Sequence, residues 1–174
     1  MSQKEIISLA RWARIRLFAM DVDGILTDGR VLVSSDGSES KAFSVLDGLG
    51  LARAREAGIE LAWISGRPSE ATAVRAHELK IKRVIQGRND KEACLRHLME
   101  ELSLTPEEVC YMGDDLIDRP ALSLAGIGVT VPEAGDEIRN VADWITSRGG
   151  GYGAVREVCD RLVTARDNQT PPKA

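Results

Sequence analysis

The stretch "RLFAMDVDGILTDGR", Arg16 to Arg30, runs from an apolar segment straight into two carboxylates one residue apart, Asp21 and Asp23, with glycine following at once. The segment "IRLFAM" has the length and the branched, aromatic composition of a buried strand, and the Asp-Gly steps after it mark a loop. Similar runs recur outward along the chain as "IELAWIS", "RVIQG", "EVCYMG", "GIGVTV" and "DWIT". Between them "LGLARAREAG", "SEATAVRAHELK" and "NDKEACLRHLMEEL" place apolar residues at helical spacing. The alternation predicts an α/β fold, a Rossmann-like doubly wound parallel sheet with helices on both faces.

At 174 residues, 43% of them hydrophobic, the chain suits one domain with one core, expected over residues 1–166. The polar, proline-bearing end, residues 167–174, reads as a disordered tail. A net charge of -4 and a pI near 5.3 argue against nucleic acid or an anionic membrane as a partner. No apolar segment approaches the ~18 residues that span a bilayer, and no secretory leader is evident, so a cytoplasmic protein is expected. Cys94, Cys110 and Cys159 are odd in number and widely spaced, which favours buried, reduced thiols over disulfides or zinc.

Local signals refine the outline. Thr105-Pro106 followed by Glu107-Glu108 reads as an N-cap with proline at the first helical position. Gly58 stands where a helix C-cap belongs. Within residues 30–43, Asp36-Gly37 between two short strand-like arms is a hairpin signal. The glycines 149–151 lack the Lys-Ser or Lys-Thr of a nucleotide-binding loop and read as a flexible flap.

In a doubly wound sheet the loops at the carboxyl ends of the strands converge on the site. Asp21 and Asp23 leave the first strand, "ISGR" leaves the second, and "GDDLID" leaves the "EVCYM" strand. Gathered together, Asp21, Asp23, Asp114 and Asp115 repel one another unless a cation joins them or some are protonated. Hard oxygen ligands, with room for water and a phosphate oxygen, suit Mg²⁺. Ser65 offers a hydroxyl, Gly66 a backbone amide, and Lys91, opening a helix after "GRND", a positive charge for phosphate. Metal, carboxylate nucleophile, hydroxyl and lysine together describe phosphoryl transfer.

"DVDGILTDG", "ISGR", "NDK" and "GDDLID", in that order, resemble the four motifs of the haloacid dehalogenase superfamily. The resemblance implies Asp21 as the nucleophile that forms an aspartyl-phosphate and Asp23 as the acid, then the base, of the two half-reactions. It implies Mg²⁺ held by Asp21, the backbone carbonyl of Asp23 and Asp114, with Asp115 and Asp118 orienting the cluster. Ser65, Gly66 and Lys91 would bind the transferring phosphoryl group. An acid at the position of Asp23 points to a phosphatase.

The gaps after the first and second motifs are too short for a cap domain, which places the chain in the capless branch. "DGSESKAFSVLDGLG", "ISGRPSEATAVRAHELKI" and "GGGYGAVREVCDRLV" resemble the members acting on 3-deoxy-D-manno-octulosonate 8-phosphate in lipopolysaccharide precursor synthesis. That resemblance implies a homotetramer whose hairpins close neighbouring sites. It also implies substrate contacts from Ser44, Asp47, Gly48, Arg67 and Arg75, the arginines suiting a sugar acid. Leu46, Ala52 and Tyr152 stand where those members often carry basic residues, which keeps open another sugar-acid phosphate, such as a nonulosonate 9-phosphate. Gly66-Arg67 favours the eight-carbon sugar. A non-catalytic assembly module is the reading from a different class, and retention of both Asp21 and Asp23 argues against it.

Overall fold

The structure, a computed structural model, describes residues 7–168. All six apolar runs become strands of one sheet: β1 (Leu17–Met20), β4 (Glu60–Ser65), β5 (Arg83–Gln86), β6 (Val109–Met112), β7 (Ile127–Thr130) and β8 (Trp144–Ile145). Their order is β5-β4-β1-β6-β7-β8, and every pairing is parallel. The central strands are buried along their whole length, as an apolar run with no polar alternation requires.

The helices are α1 (Leu9–Arg14), α2 (Val45–Glu56), α3 (Glu70–Glu78), α4 (Lys91–Leu102), α5 (Arg119–Leu124), α6 (Asp136–Val141) and α7 (Ala154–Asp167). Short polar side chains start several of them. Ser44 accepts from the amides of Leu46 and Asp47, Ser69 from Thr72, and Asp90 from Ala93. Gly58, at φ +81° just past α2, takes the left-handed conformation expected there. Helix α7 packs on both α1 and α2, while α5 packs on α4 and α6.

From β1 the chain steps through β4 to the β5 edge, then returns along α4 to β6 and moves outward through β7 and β8. Right-handed crossovers therefore put α2 and α3 on one face and α4, α5 and α6 on the other. The winding direction reverses between β1 and β6, and a crevice opens beyond their carboxyl ends. The Asp21 amide, donating to the Met112 carbonyl at 2.9 Å, carries the β1–β6 pairing to its lip.

Thr105 is the N-cap and Pro106 opens the turn as expected, with a capping box, and the turn is a single 3₁₀ stretch, Pro106–Glu108, before β6 begins at Val109. The hairpin keeps its Asp36-Gly37 turn between two short arms of two residues each, β2 (Leu32–Val33) and β3 (Glu39–Ser40). Asp167 still belongs to α7, and the remainder of the expected tail, 169–174, lies outside the described residues. The three cysteines are buried and unpaired.

Candidate active site

Asp21 is the first residue beyond β1 and is almost fully buried. Its Oδ1 accepts from the Val22 amide at 2.6 Å, and its Oδ2 lies 2.7 Å from Lys91 Nζ. Lys91, the first residue of α4, is buried throughout and also donates to Asp118 Oδ1 at 2.7 Å. An enclosed ammonium needs anionic partners, so Lys91 bolts the α4 side of the crevice to the ends of β1 and β6. Asp118 accepts from four donors: Lys91, the Tyr111 hydroxyl at 2.7 Å, and the Asp114 and Asp115 amides at 3.2 and 3.1 Å. With both oxygens occupied, Asp118 acts as a brace.

Asp114 has no such partners. Its Oδ1 is buried and makes no hydrogen bond. Its carboxylate lies against Gly24, at φ +87°, where a β-carbon would run into it. One oxygen each from Asp21, Asp114 and Asp118 falls within 4.8 Å of the others. Burial, reinforced by the charge of Asp118 and opposed by Lys91, raises the Asp21 pKa to about 7. Burial and then the charges of Asp21 and Asp118 raise Asp114 to about 7. For Lys91, burial pulls downward but Asp21 and Asp118 outweigh it, so the ammonium is held above its ordinary value. An oxygen-only set with an unpartnered buried oxygen, short of positive charge, fits a hard divalent cation such as Mg²⁺. Asp115 stands apart from this cluster, exposed, its carboxylate capping the Leu116 amide at 2.7 Å.

Ser65 ends β4, the strand beside β1, and is buried. Its hydroxyl donates to the Arg67 carbonyl at 2.9 Å and accepts from the Arg67 amide at 3.2 Å, closing a tight loop around Gly66. A β-carbon at Gly66 would meet Asn89 Oδ1 at 2.5 Å, so the loop after β4 touches the one leading to Lys91. Asp23, on the loop beyond Asp21, meets a lysine of its own: Lys41 Nζ lies 2.7 Å from Oδ1 and 2.9 Å from Oδ2.

The expected substrate contacts divide. Ser44, Gly48 and Arg75 come together: Arg75 donates to the Ser44 carbonyl at 3.5 Å, and its guanidinium occupies space that a β-carbon on Gly48 would take. Arg67 pairs with Glu39 of β3, which also accepts from Ser69 Oγ at 2.6 Å. The buried carboxylate of Asp47 accepts from the Arg156 amide at 2.8 Å and anchors the start of α7 under α2. Burial raises its pKa although the Arg156 and Gly153 amides oppose the shift.

The glycine segment is also tighter than a free flap. The Gly151 amide donates to the Ile25 carbonyl at 3.0 Å, and at Gly150 a β-carbon would collide with the Gly24 carbonyl. The segment is a strap pressed onto the loop that carries Asp23. Beside it a cleft of about 270 Å³ is lined by Gly24, Asp28, Arg30, Asp114, Glu133 and Tyr152, among others.

Sequence reasoning missed Lys41 and Tyr111. Lys41 lies in a polar arm where a lysine reads as a solvated edge charge, and Tyr111 lies within a buried run where its hydroxyl is invisible to pattern. Lys41 finds its partner 18 positions away and Tyr111 finds Asp118 only once the loop after β6 turns back.

A family model for haloacid dehalogenase-like hydrolases matches residues 83–149. The 3-deoxy-D-manno-octulosonate 8-phosphate phosphatase of Escherichia coli K12 is 42% identical over 158 residues, 91% of this chain and 84% of that one. The phosphatase of the same name from Moraxella catarrhalis, solved with magnesium ion, phosphate ion and KDO, superposes with a TM-score of 0.90 at 46% identity, covering 92% of each chain. A cobalt-bound deoxy-D-mannose-octulosonate 8-phosphate phosphatase from Haemophilus influenzae gives 0.87 at 36% identity, over 90% of this chain and 92% of that one. With four ordered motifs converging at the reversal point of the sheet and relatives this similar along most of their length, the chain belongs to the 3-deoxy-D-manno-octulosonate 8-phosphate phosphatases of the haloacid dehalogenase-like hydrolases.

Proposed function

We propose that this chain hydrolyses 3-deoxy-D-manno-octulosonate 8-phosphate to the free sugar acid and phosphate, in lipopolysaccharide precursor synthesis. The observation that carries the reading is Asp21 at the lip of β1, pinned by buried Lys91 at 2.7 Å and neighboured by Asp114 with an unpartnered buried oxygen. Asp21 Oδ1 or Oδ2 attacks phosphorus to give an aspartyl-phosphate, and Asp23 gives its proton to the departing sugar oxygen. Asp23 then takes a proton from the water that releases phosphate and frees Asp21. Lys91, Ser65 and the Gly66 amide hold the phosphoryl oxygens, and Lys91 keeps Asp21 oriented throughout. Asp21, the Asp23 carbonyl and Asp114 would hold Mg²⁺, which offsets the charge of nucleophile and phosphate together.

Arg75, lying against Ser44 and Gly48, and Arg67 are the cations for the sugar-acid carboxylate. The assembly is a cytoplasmic homotetramer in which each hairpin closes a neighbour's site. Exposed Leu32 and Val33 on β2 support it, because an apolar edge left open to water invites pairing with another copy. Among the described residues no helix is long and apolar enough to cross a membrane. The deciding experiment is phosphate release from the octulosonate ester with and without Mg²⁺, beside a nonulosonate 9-phosphate and simple sugar phosphates. A metal-dependent preference for the first is expected. Equal or better turnover of another ester would move the substrate and leave the Asp21 chemistry in place. The exposed side chains at Leu46 and Tyr152, where a cation would suit an acidic sugar, are the specific ground for that second outcome.

A further inference from the structure

Lys41 is not among the groups that hold or transfer the phosphoryl group, yet its side chain is completely enclosed although the residue as a whole is only half-buried. Its ammonium brackets both oxygens of Asp23, at 2.7 and 2.9 Å. The other groups around it are Thr72 Oγ1 at 3.4 Å and Glu39 Oε1 at 4.0 Å. An enclosed ammonium is stabilised by anions, and two carboxylates face this one, Asp23 and Glu39, so Glu39 remains beside Lys41 while Asp23 carries the proton it delivers. The stem is fixed from both ends. On one side Glu39 ties β3 to Arg67 and Ser69, and on the other Phe43 stacks on Trp63 with ring centroids 6.3 Å apart and planes 8° from parallel. Lys41 is thus delivered to Asp23 by the hairpin, and is held as rigidly as the strand edge it docks against.

We propose that Lys41 is the positioning residue for the acid/base carboxylate, an inference that rests on the reading of Asp23 as the group that protonates the leaving oxygen. The hydrogen bond to Oδ2, with Oδ1 in ion-pair contact at 2.7 Å, orients the Asp23 carboxyl. As the P–O bond breaks, the proton passes from Asp23 to the sugar oxygen, the bonding pair stays on that oxygen, and the new carboxylate is left beside the ammonium. Proton delivery of this kind is sensitive to small displacements. The hairpin therefore does more than cover a site: it sets the carboxyl that acts inside its own subunit.

The test separates esters that need a proton on departure from one that does not. In the holoenzyme with Mg²⁺, the rate of the first, phosphoenzyme-forming step is measured by rapid mixing for an alkyl sugar phosphate and for 4-nitrophenyl phosphate, whose aryl oxide leaves unprotonated. Lys41→Met is expected to slow the first step with the alkyl ester by about 30- to 100-fold and with the aryl ester by less than about threefold. Lys41→Arg, which keeps a cation, should recover most of the alkyl rate. If Lys41→Met does not fold, Lys41→Gln, which removes the charge and keeps a donor, carries the same comparison. Equal losses with the two esters, or a raised KM with kcat intact for both, would overturn the proposal. Asp23→Asn serves as the control on the underlying reading. A split for Asp23→Asn without one at Lys41 sinks only the positioning role, whereas no split at Asp23→Asn removes the acid role and the Lys41 proposal with it.

Discussion

Gly24 and Asp114 share one small space, and that packing is as consequential as either residue's chemistry. A β-carbon at Gly24 would occupy the position of the Asp114 carboxylate, and φ is +87° there, which L side chains adopt at a cost of about 1–2 kcal/mol. Gly24→Ala should therefore fold but bind Mg²⁺ about 10- to 100-fold more weakly, as seen when groups that orient a metal ligand are lost. A Mg²⁺ titration of activity checks this, and an unchanged midpoint would mean that Asp114 does not hold the ion. Asp21→Asn should abolish turnover, since an amide cannot attack phosphorus, and the absence of labelled phosphoenzyme is the direct readout. Most of these residues are legible in the sequence because strand ends, DxD spacing and a helix-opening lysine are local patterns. Lys41 and Tyr111 were not, because each gains its role from a partner that pattern cannot bring near: Asp23 is 18 positions from Lys41, and Asp118 touches Tyr111 only after a tight turn.

Among the elements, the six apolar runs were readable because a strand buried on both faces has a continuous hydrophobic signature. The hairpin was readable as a turn between two short arms, while the side-chain partners that Glu39 and Lys41 find in the crevice were not. Asp47 carries a contact that no local pattern reveals: its carboxylate accepts from the Arg156 amide near the start of α7, more than a hundred positions later. Asp47→Ala removes that acceptor and leaves the Arg156 amide unpaired, with an expected loss of about 1–3 kcal/mol in stability. Thermal or urea unfolding would measure it. A loss under about half a kcal/mol would show that water takes over the amide and that the cap is dispensable.

At the scale of the whole molecule, the buried acids couple stability to pH and metal. Burial raises Asp21 and Asp114 from the ordinary 3.8 to about 7, so between those values the metal-free folded state holds more protons than the unfolded chain. Stability contributed by those protons is complete below about pH 4 and is lost as pH rises toward 7, because ν_U − ν_N is negative in that window. Without metal, the melting temperature should fall from pH 5 to 7.5, and Mg²⁺ should reverse the fall by replacing the protons. Asp114→Asn should flatten the metal-free curve; a wild-type curve already flat in chelator would contradict the shifts. The oligomer belongs to this scale too. Light scattering should report a tetramer at micromolar concentration, and Leu32→Glu with Val33→Glu should dissociate it, whereas a wild-type monomer would dismiss the shared-site arrangement.

Strand β1 lies between β4 and β6, and each neighbour comes much later in the chain. During synthesis, which runs from the amino end, the strand leading to the nucleophile emerges first and has no partner on either side until residues 60–65 and then 109–112 have followed. Its four fully buried residues are thus the longest-exposed apolar edge of the nascent chain. Contacts of such long sequence separation form slowly. The reversal point that makes the crevice therefore also delays assembly of the acidic cluster until Asp114 has been made.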